Sequence, residues 1–152
     1  MTPEGIILLP PVKEWAQSHP SFFFADGRVT ATSLVDQLYE GVIALGAKAV
    51  ETYVVEGWHV VAAGEDWFAN ARFPIPEDFV FQGLTPFPEL GQSCVRPEAV
   101  VAMFARDIIV TSTSAEPIVY GVVSPDDPIH TVLAGKPSWR RVIAFRGVGA
   151  EA

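Results

Sequence analysis

A helical segment followed at once by a strand-forming segment most restricts how this chain can fold. Apolar side chains recur at the helical spacing of three and four residues over 33–46, where Ser33 is suited to cap the first turn. Residues 48–55 and 58–63 are instead rich in β-branched and aromatic side chains, and Glu56-Gly57 joins them. A glycine in so short a connection is typical of a tight hairpin. We therefore expect one helix packed against a sheet that includes this hairpin.

The rest of the chain predicts a small α+β fold. The further expected elements are a short helix at 11–18, a brief strand at Phe22-Phe23-Phe24, a helix at 97–106 opened by Pro97, a second hairpin with strands near 108–113 and 117–123, and a last strand at 139–146. Hairpins interspersed with helices, without regular strand-helix-strand spacing, favour a mainly antiparallel sheet. The prediction is one globular domain over 1–152, with two principal helices at 33–46 and 97–106.

Composition limits the environment of the chain. Cys94 is the single cysteine, which excludes an internal disulfide and favours a reducing cytoplasm. The apolar stretch Gly5–Leu9 is too short to cross a membrane and follows no basic residue, so neither a membrane anchor nor a signal peptide is expected. No glycine-rich phosphate loop, dinucleotide fingerprint or zinc motif occurs, and we therefore expect no cofactor.

The charge distribution suggests a class of partner. The net charge is −8 at pH 7, and residues 36–89 hold nine acidic side chains against two basic ones. Such a chain repels nucleic-acid phosphates, whereas a basic protein surface complements it. Acidic side chains that simply keep a protein in solution are the competing explanation.

A segment rich in proline and phenylalanine follows the first hairpin. Residues 71–91 contain four prolines and four phenylalanines, so the segment is stiff and strongly apolar. Its rings either close one end of the core or form a rim that contacts a partner. In the second case, the predicted partner-binding residues are Glu56, Glu65, Asp66, Phe73, Glu77, Asp78, Phe79, Phe81 and Phe87.

The stretch from His59 to Asp66 could hold an acid-base site. Imidazole and carboxylate groups are suited to proton transfer, and the candidates here are His59, Glu65 and Asp66. The two acids, however, follow His59 by six and seven residues. The alternative is a strand covered on both faces, followed by Asp66 at the start of a short helix. Arg141 is a fourth candidate, either as a ligand anchor or as half of a buried ion pair with Glu51 or Glu56.

The segment Ser124–His130 contains two carboxylates and an imidazole. Asp126, Asp127 and His130 are weak candidate metal ligands, because a metal site needs three or four ligands with supporting contacts. Prolines beside aspartates are first of all a turn signal. A nucleophilic Cys94 assisted by a histidine is a weaker hypothesis than a buried cysteine.

Three functional hypotheses follow. The first is a non-catalytic protein-binding domain with an acidic surface, such as an inhibitor or immunity-type protein that covers a basic partner. The second is a small enzyme or ligand-binding domain with a pocket under the 71–91 segment. Between a catalytic and a non-catalytic function, the sequence favours the non-catalytic one. The third is a homo-oligomeric subunit, in which a second copy covers the edge strands.

Overall fold

The computed structural model describes residues 12–70, 80–81, 87–89, 95–113, 116–135 and 139–148, which contain five strands, four α-helices and two short 3₁₀ helices. In chain order these are α1 (Val12–Ser18), a 3₁₀ helix (Pro20–Phe22), α2 (Ala31–Ala44), β1 (Val50–Val55), β2 (Trp58–Ala63), a second 3₁₀ helix (Trp67–Asn70), α3 (Pro97–Phe104), β3 (Ala105–Ser112), β4 (Ile118–Tyr120), α4 (Ile129–Ala134) and β5 (Arg141–Val148). None of the helices in these ranges has the length and apolar character needed to cross a membrane.

The strands form one antiparallel sheet in the order β1-β2-β5-β3-β4. The hairpins β1-β2 and β3-β4 lie side by side, and the last strand, β5, is inserted between them. The helices α2 and α3 pack on this sheet, so the α+β prediction of two hairpins, a C-terminal strand and two principal helices is confirmed.

Both ends of α2 are capped, the first by side-chain hydroxyls and the second by the backbone. Thr30, and not the predicted Ser33, is the N-cap: its hydroxyl accepts the Ser33 N–H at 3.0 Å, and the Ser33 hydroxyl accepts the Thr30 N–H at 3.2 Å. This reciprocal pair is a capping box with serine at its third position. At the other end Gly46 has φ +88°, and its N–H donates to Ile43 O at 2.9 Å, as expected of a left-handed helix stop.

The turn between β1 and β2 sets the register of the first hairpin. Glu56 and Gly57 both have positive φ, at 50° and 81°. Two positive φ angles in a two-residue turn match the right-handed twist of paired strands. The predicted hairpin is therefore present, with Val55 opposite Trp58.

The centre of the sheet is covered on both faces. The main core lies between one face and the helices α1, α2 and α3, and it includes Val61, Ile143 and Val110 from neighbouring strands. A smaller core on the other face includes Trp58 and Ala144 and is covered by Ile129 of α4 together with Trp139. Residues of β2 alternate between these two cores, so that all residues of the strand except His59 are apolar and buried.

Two local predictions differ from the structure. The residues Pro20–Phe22 form a 3₁₀ helix rather than part of a brief strand; the Phe22 ring packs against Trp15, and the ring of the next residue, Phe23, packs against Phe104. The helix α4 was not expected from the sequence. It begins where the Asp127 carboxylate accepts the Ile129 N–H at 3.0 Å, just after the predicted turn.

The helices α2 and α3 approach closely at Gly41. A Cβ atom at Gly41 would lie 2.5 Å from Pro97 Cγ and 3.3 Å from Phe87 Cε2. Because the proline ring is rigid and the core is densely packed, the helices would have to separate to admit a methyl group.

We expect Gly41→Ala to lower the free energy of unfolding by about 1–2 kcal/mol. The steric cost of an overpacked core exceeds the gain of about 1 kcal/mol in helix propensity. Urea unfolding measures the change, with Glu40→Ala on the exposed side of α2 as the control, expected within about 0.5 kcal/mol of wild type. A more stable Gly41→Ala variant would contradict the close approach.

Candidate functional site

The structure separates His59 from Glu65 and Asp66. His59 lies near the start of β2, and its partly buried ring stacks on Phe145 with centroids 5.5 Å apart. The two acids follow the end of the same strand. A strand rises about 3.3 Å per residue, so His59 and Glu65 are roughly 20 Å apart. The backbone does not bring together the acid-base pair that this stretch suggested.

Asp66 instead has two structural roles. Its Oδ1 atom accepts the Phe68 N–H at 3.1 Å, which caps the 3₁₀ helix Trp67–Asn70. Its two carboxylate oxygens also accept bonds from Arg141 Nε and Nη2, both at 2.9 Å. The stretch is therefore a covered strand followed by a cap.

Arg141 is only 2% exposed, and its partner is Asp66 rather than the predicted Glu51 or Glu56. Arg141 lies opposite Ala63 on the main-core face, next to the connection that carries Asp66. Glu51 points to the other face, and Glu56 lies at the far end of the hairpin. The prediction of Glu51 or Glu56 is wrong because the partner of Arg141 depends on the pairing of β5 with β2, which the sequence alone does not reveal.

A second buried arginine, Arg96, pairs with Glu98 at the start of α3. Arg96 Nε donates to Glu98 Oε1 at 3.0 Å, Arg96 Nη2 contacts Glu98 Oε2, and Trp67 Nε1 donates to Glu98 Oε2 at 2.9 Å. The Arg96 and Glu98 side chains are 3% and 1% exposed. The sequence does not predict this pair, because Arg96 precedes the helix and a charged pair two residues apart is not in itself a sign of burial.

The two buried arginines share one aromatic ring. The guanidinium carbon of Arg141 lies 4.1 Å from the centroid of Phe68, and that of Arg96 lies 5.1 Å from it. Cations over an aromatic ring are attracted by its negative face. Arg96, Arg141 and their carboxylates thus form one packed group around Phe68.

Part of that segment is described. Phe81 and Phe87 are buried in the main core, with Phe81 against Phe68 and Tyr120. Their burial removes them from the partner-binding surface predicted from the sequence and favours the core-closing explanation for these two rings. Phe73, Glu77, Asp78 and Phe79 lie outside the described residues, as does Cys94.

A third polar cluster joins β3, β5 and the loop before α4. Arg146 Nε donates to Asp107 Oδ2 at 2.9 Å, and Arg146 Nη1 donates to Asp127 Oδ2 at 2.8 Å. The indole N–H of Trp58 donates to Asp127 Oδ1 at 3.1 Å, and the Arg146 guanidinium stacks over the same indole. Asp127 therefore links the smaller core to the sheet.

These contacts lower the pKa of both carboxyls. For Asp107, burial alone would raise the pKa, but hydrogen bonds from Arg146, the Val122 N–H and Arg106 outweigh burial and lower it. For Asp127, the Ile129 N–H contributes most to lowering the pKa, burial opposes it, and Trp58 and Arg146 lower it further. Both groups are consequently stabilised in the ionised form.

The candidate metal ligands do not converge. Asp127 is occupied as described, His130 Nε2 lies 2.9 Å from Ser124 O, and Asp126 is exposed at the turn. Among the described residues, no group of three or more histidine, cysteine, aspartate or glutamate side chains is placed to hold a metal ion.

An open groove of about 330 Å³ lies at the start of β1. Lys48, Glu51, Gly64 and Trp139 contribute to its walls, and the ring of Tyr53 packs against that of Trp139. Burial, and after it the negative charge of Glu51, raise the pKa of Tyr53. The groove thus combines an aromatic wall with one acidic side chain, Glu51, and one basic side chain, Lys48.

Exposed apolar and exposed acidic side chains occur together on α2, on β1 and in the turn after β1. We define the α2-β1 surface by its exposed apolar and acidic side chains: Asp36, Tyr39, Glu40, Ile43, Glu51, Val54 and Glu56. Tyr39, Ile43 and Val54 are 44%, 43% and 64% exposed. Gly41 faces α3, so Tyr39 and Ile43, two residues away on either side, lie on the opposite flank of α2.

The acids of this surface differ from the four acids that pair with arginines, and in this they resemble the exposed Glu14, Glu116 and Asp126. Asp66, Glu98, Asp107 and Asp127 each bind an arginine. The four acids of the α2-β1 surface make no hydrogen bond or ion pair to another described side chain. Glu56 belongs to both this surface and the predicted partner-binding set, but Glu65 and Asp66 lie at the opposite end of β2.

No protein-family model matches the chain, and no curated protein or solved structure matches it.

We expect Asp127→Asn to lower stability at neutral pH by about 1–3 kcal/mol, because the amide cannot replace the charged contact with Arg146. A carboxyl with a lowered pKa stabilises the fold above its unfolded pKa of about 3.9, and this contribution is lost as the pH falls through the folded value. The gap between variant and wild type should therefore narrow below about pH 4.

Urea unfolding over a pH series measures this gap, and Asp126→Asn is the matched control. It removes the same charge from the exposed neighbouring residue, whose side chain makes no ion pair with a described residue. A pH-independent gap for Asp127→Asn would show that ionisation of Asp127 does not contribute.

We expect Glu98→Gln to lower the free energy of unfolding by about 3–5 kcal/mol, because it leaves the Arg96 charge buried without its carboxylate. Replacing both partners, as Arg96→Met with Glu98→Leu, should restore much of the loss. Chemical unfolding is the measurement, and exposed Glu116→Gln is the control. A loss below about 1 kcal/mol would mean that another group satisfies Arg96.

Proposed function

We propose that the chain is a non-catalytic protein-binding domain whose acidic surface covers a basic partner, in the manner of an inhibitor or immunity-type protein. The observation that carries the proposal is the α2-β1 surface, where exposed apolar side chains stand among four acids with no described partner. Apolar contacts surrounded by charged groups are the usual composition of a protein-binding surface.

The sign of the charge indicates the chemistry of the partner. Residues 36–56 contain four acids and one base, Lys48. Such a surface accelerates association with a basic protein and repels phosphate backbones. A cytoplasmic setting belongs to the same proposal, because the chain has a single cysteine.

The two other hypotheses have weaker support. The enzyme hypothesis needs His59, Asp66 and Arg141 in one pocket, but Asp66 and Arg141 bind each other and His59 lies at the other end of β2. Self-association through the α2-β1 surface would bring two sets of four acids together. Like charges at such an interface disfavour association.

Affinity capture from the native cytosol tests the proposal when paired with charge reversal. We expect the wild-type chain to retain a basic protein in stoichiometric amount at low salt and to release it at high salt. The triple variant Asp36→Lys, Glu40→Lys and Glu51→Lys should weaken this association roughly tenfold or more, mainly through the association rate.

A control variant with the same change in net charge is available. Glu14→Lys, Glu116→Lys and Asp126→Lys alter exposed acids outside the α2-β1 surface. The association should persist in this control. If both triple variants lose the association equally, the effect depends on net charge and not on the α2-β1 surface. Capture that high salt does not weaken would contradict an acidic binding surface.

A further inference from the structure

The outer edge of β1 is the longer of the two edges of the sheet. β1 has six residues, whereas β4 at the other edge has three. An open edge presents N–H and C=O groups that can pair with a strand from another chain. Within the described ranges, no strand pairs with the outer edge of β1.

The hydrogen bonds of the hairpin identify the groups that point outwards. The Gly64 N–H donates to Ala49 O at 3.0 Å, so the backbone of Ala49 faces β2. In an antiparallel pair, residues that exchange hydrogen bonds with their partner alternate with residues that do not. Counting from Ala49, the residues with outward N–H and C=O groups are Val50, Thr52 and Val54. No described residue forms a backbone hydrogen bond with these outward groups.

On one face, this edge borders apolar side chains. Thr52 and Val54 lie opposite Val61 and His59, and cross-strand partners project to the same face, here the one covered by the helices. The helix α2 packs above β1 and β2 on that face. A side chain added beside Val54 would therefore contact this exposed valine.

On the other face, the edge borders acidic and aromatic groups. Glu51 projects there, beside the groove of about 330 Å³ that Trp139 also lines. A carboxylate together with an aromatic ring is suited to an ammonium or guanidinium group, through an ion pair and a cation-π contact. A side chain on this side of an added strand is best matched by lysine or arginine.

We propose that β1 binds an extended segment of the basic partner as a sixth strand, in which apolar residues facing Val54 alternate with lysine or arginine facing Glu51 and Trp139. This inference rests on the proposed function and specifies how the partner is held. Backbone hydrogen bonds to Val50, Thr52 and Val54 supply affinity, and the alternation of side chains supplies selectivity, as in other cases of strand addition.

The acids of the surface select a basic segment over a second copy of this chain. Two copies paired through β1 would place Glu51 and Glu56 of each copy in the same interface. Like charges there would be costly, whereas a basic strand is attracted by the same groups. The carboxylates thus restrain self-pairing while leaving the edge accessible.

A short blocked peptide of alternating valine and lysine is the probe. Two control peptides have the same length: one collects the lysines and valines into separate blocks, and one replaces lysine by glutamate. Amide hydrogen exchange of the wild-type protein reports where each peptide binds. We expect the alternating peptide to slow exchange at Val50, Thr52 and Val54 by roughly tenfold or more, with smaller changes at Ile118–Tyr120.

Thr52→Pro removes one outward N–H without removing a bond to β2, because proline is tolerated where an edge strand faces solvent. We expect it to weaken peptide binding roughly tenfold, while Thr52→Val, which keeps the N–H, binds like wild type. Amide hydrogen exchange of the wild-type protein tests strand addition at β1 even if Thr52→Pro does not fold.

Equal binding of the block peptide, protection at β4 instead of β1, or no binding would each overturn strand addition. The proposed function is judged separately by the cytosolic capture. A captured basic protein that is lost in the Asp36, Glu40 and Glu51 variant but retained by Thr52→Pro would uphold the proposed function and reject strand addition. Protection of β1 by the alternating peptide, without capture of any protein from the cytosol, would support strand addition and reject the proposed function.

Discussion

The ion pairs at the two ends of β5 are the constraint on which the rest of the structure depends. This strand lies between β2 and β3 and is covered on both faces, yet it begins with Arg141 and carries Arg146 near its end. The two arginines project to opposite faces, so each needs its own carboxylates. Asp66 meets the first from the connection after β2, and Asp107 with Asp127 meet the second. Because an unpaired buried charge is costly, these partners fix both the connection after β2 and the loop before α4 against the sheet.

The same requirement explains the acids that bind arginines, but not the exposed acids of the chain. Those near the buried arginines are engaged in ion pairs, and their geometry is explained by the stability of the fold. The four acids of the α2-β1 surface form no ion pair with any described residue. Charges that the fold does not need are better explained by solubility or by a partner. The exposed apolar side chains of Tyr39, Ile43 and Val54 among them favour a partner, since solubility alone gives no reason for this combination.

Periodic segments were predictable from the sequence, and long-range pairing was not. The helix α2, the first hairpin and the strand after Pro137 follow from side-chain spacing and turn residues, which act locally. The Arg141 partner was missed because it depends on β5 entering between the hairpins, a choice made by the whole sheet. The Phe22 segment was misassigned because aromatic content favours a strand, whereas contacts with Trp15 and Phe104 favour a compact turn. The start of α4 has a local signal, Asp127 before Pro128, but the same two residues are also typical of a turn, which is what the sequence predicted.

For the candidate surface, sequence supplied the sign of the charge but not its arrangement. Glu56 and Glu65 are close in sequence and were grouped together, yet the extended strand between them places them at opposite ends of β2. Asp36, Glu40 and Glu51 were visible only as members of an acidic stretch. The fold places Asp36 and Glu40 on α2, which packs on one face of the first hairpin, whereas Glu51 projects from β1 to the other face. The edge strand, which is a risk for any open sheet, thereby acquires a charge that discourages self-pairing and that a basic strand can neutralise.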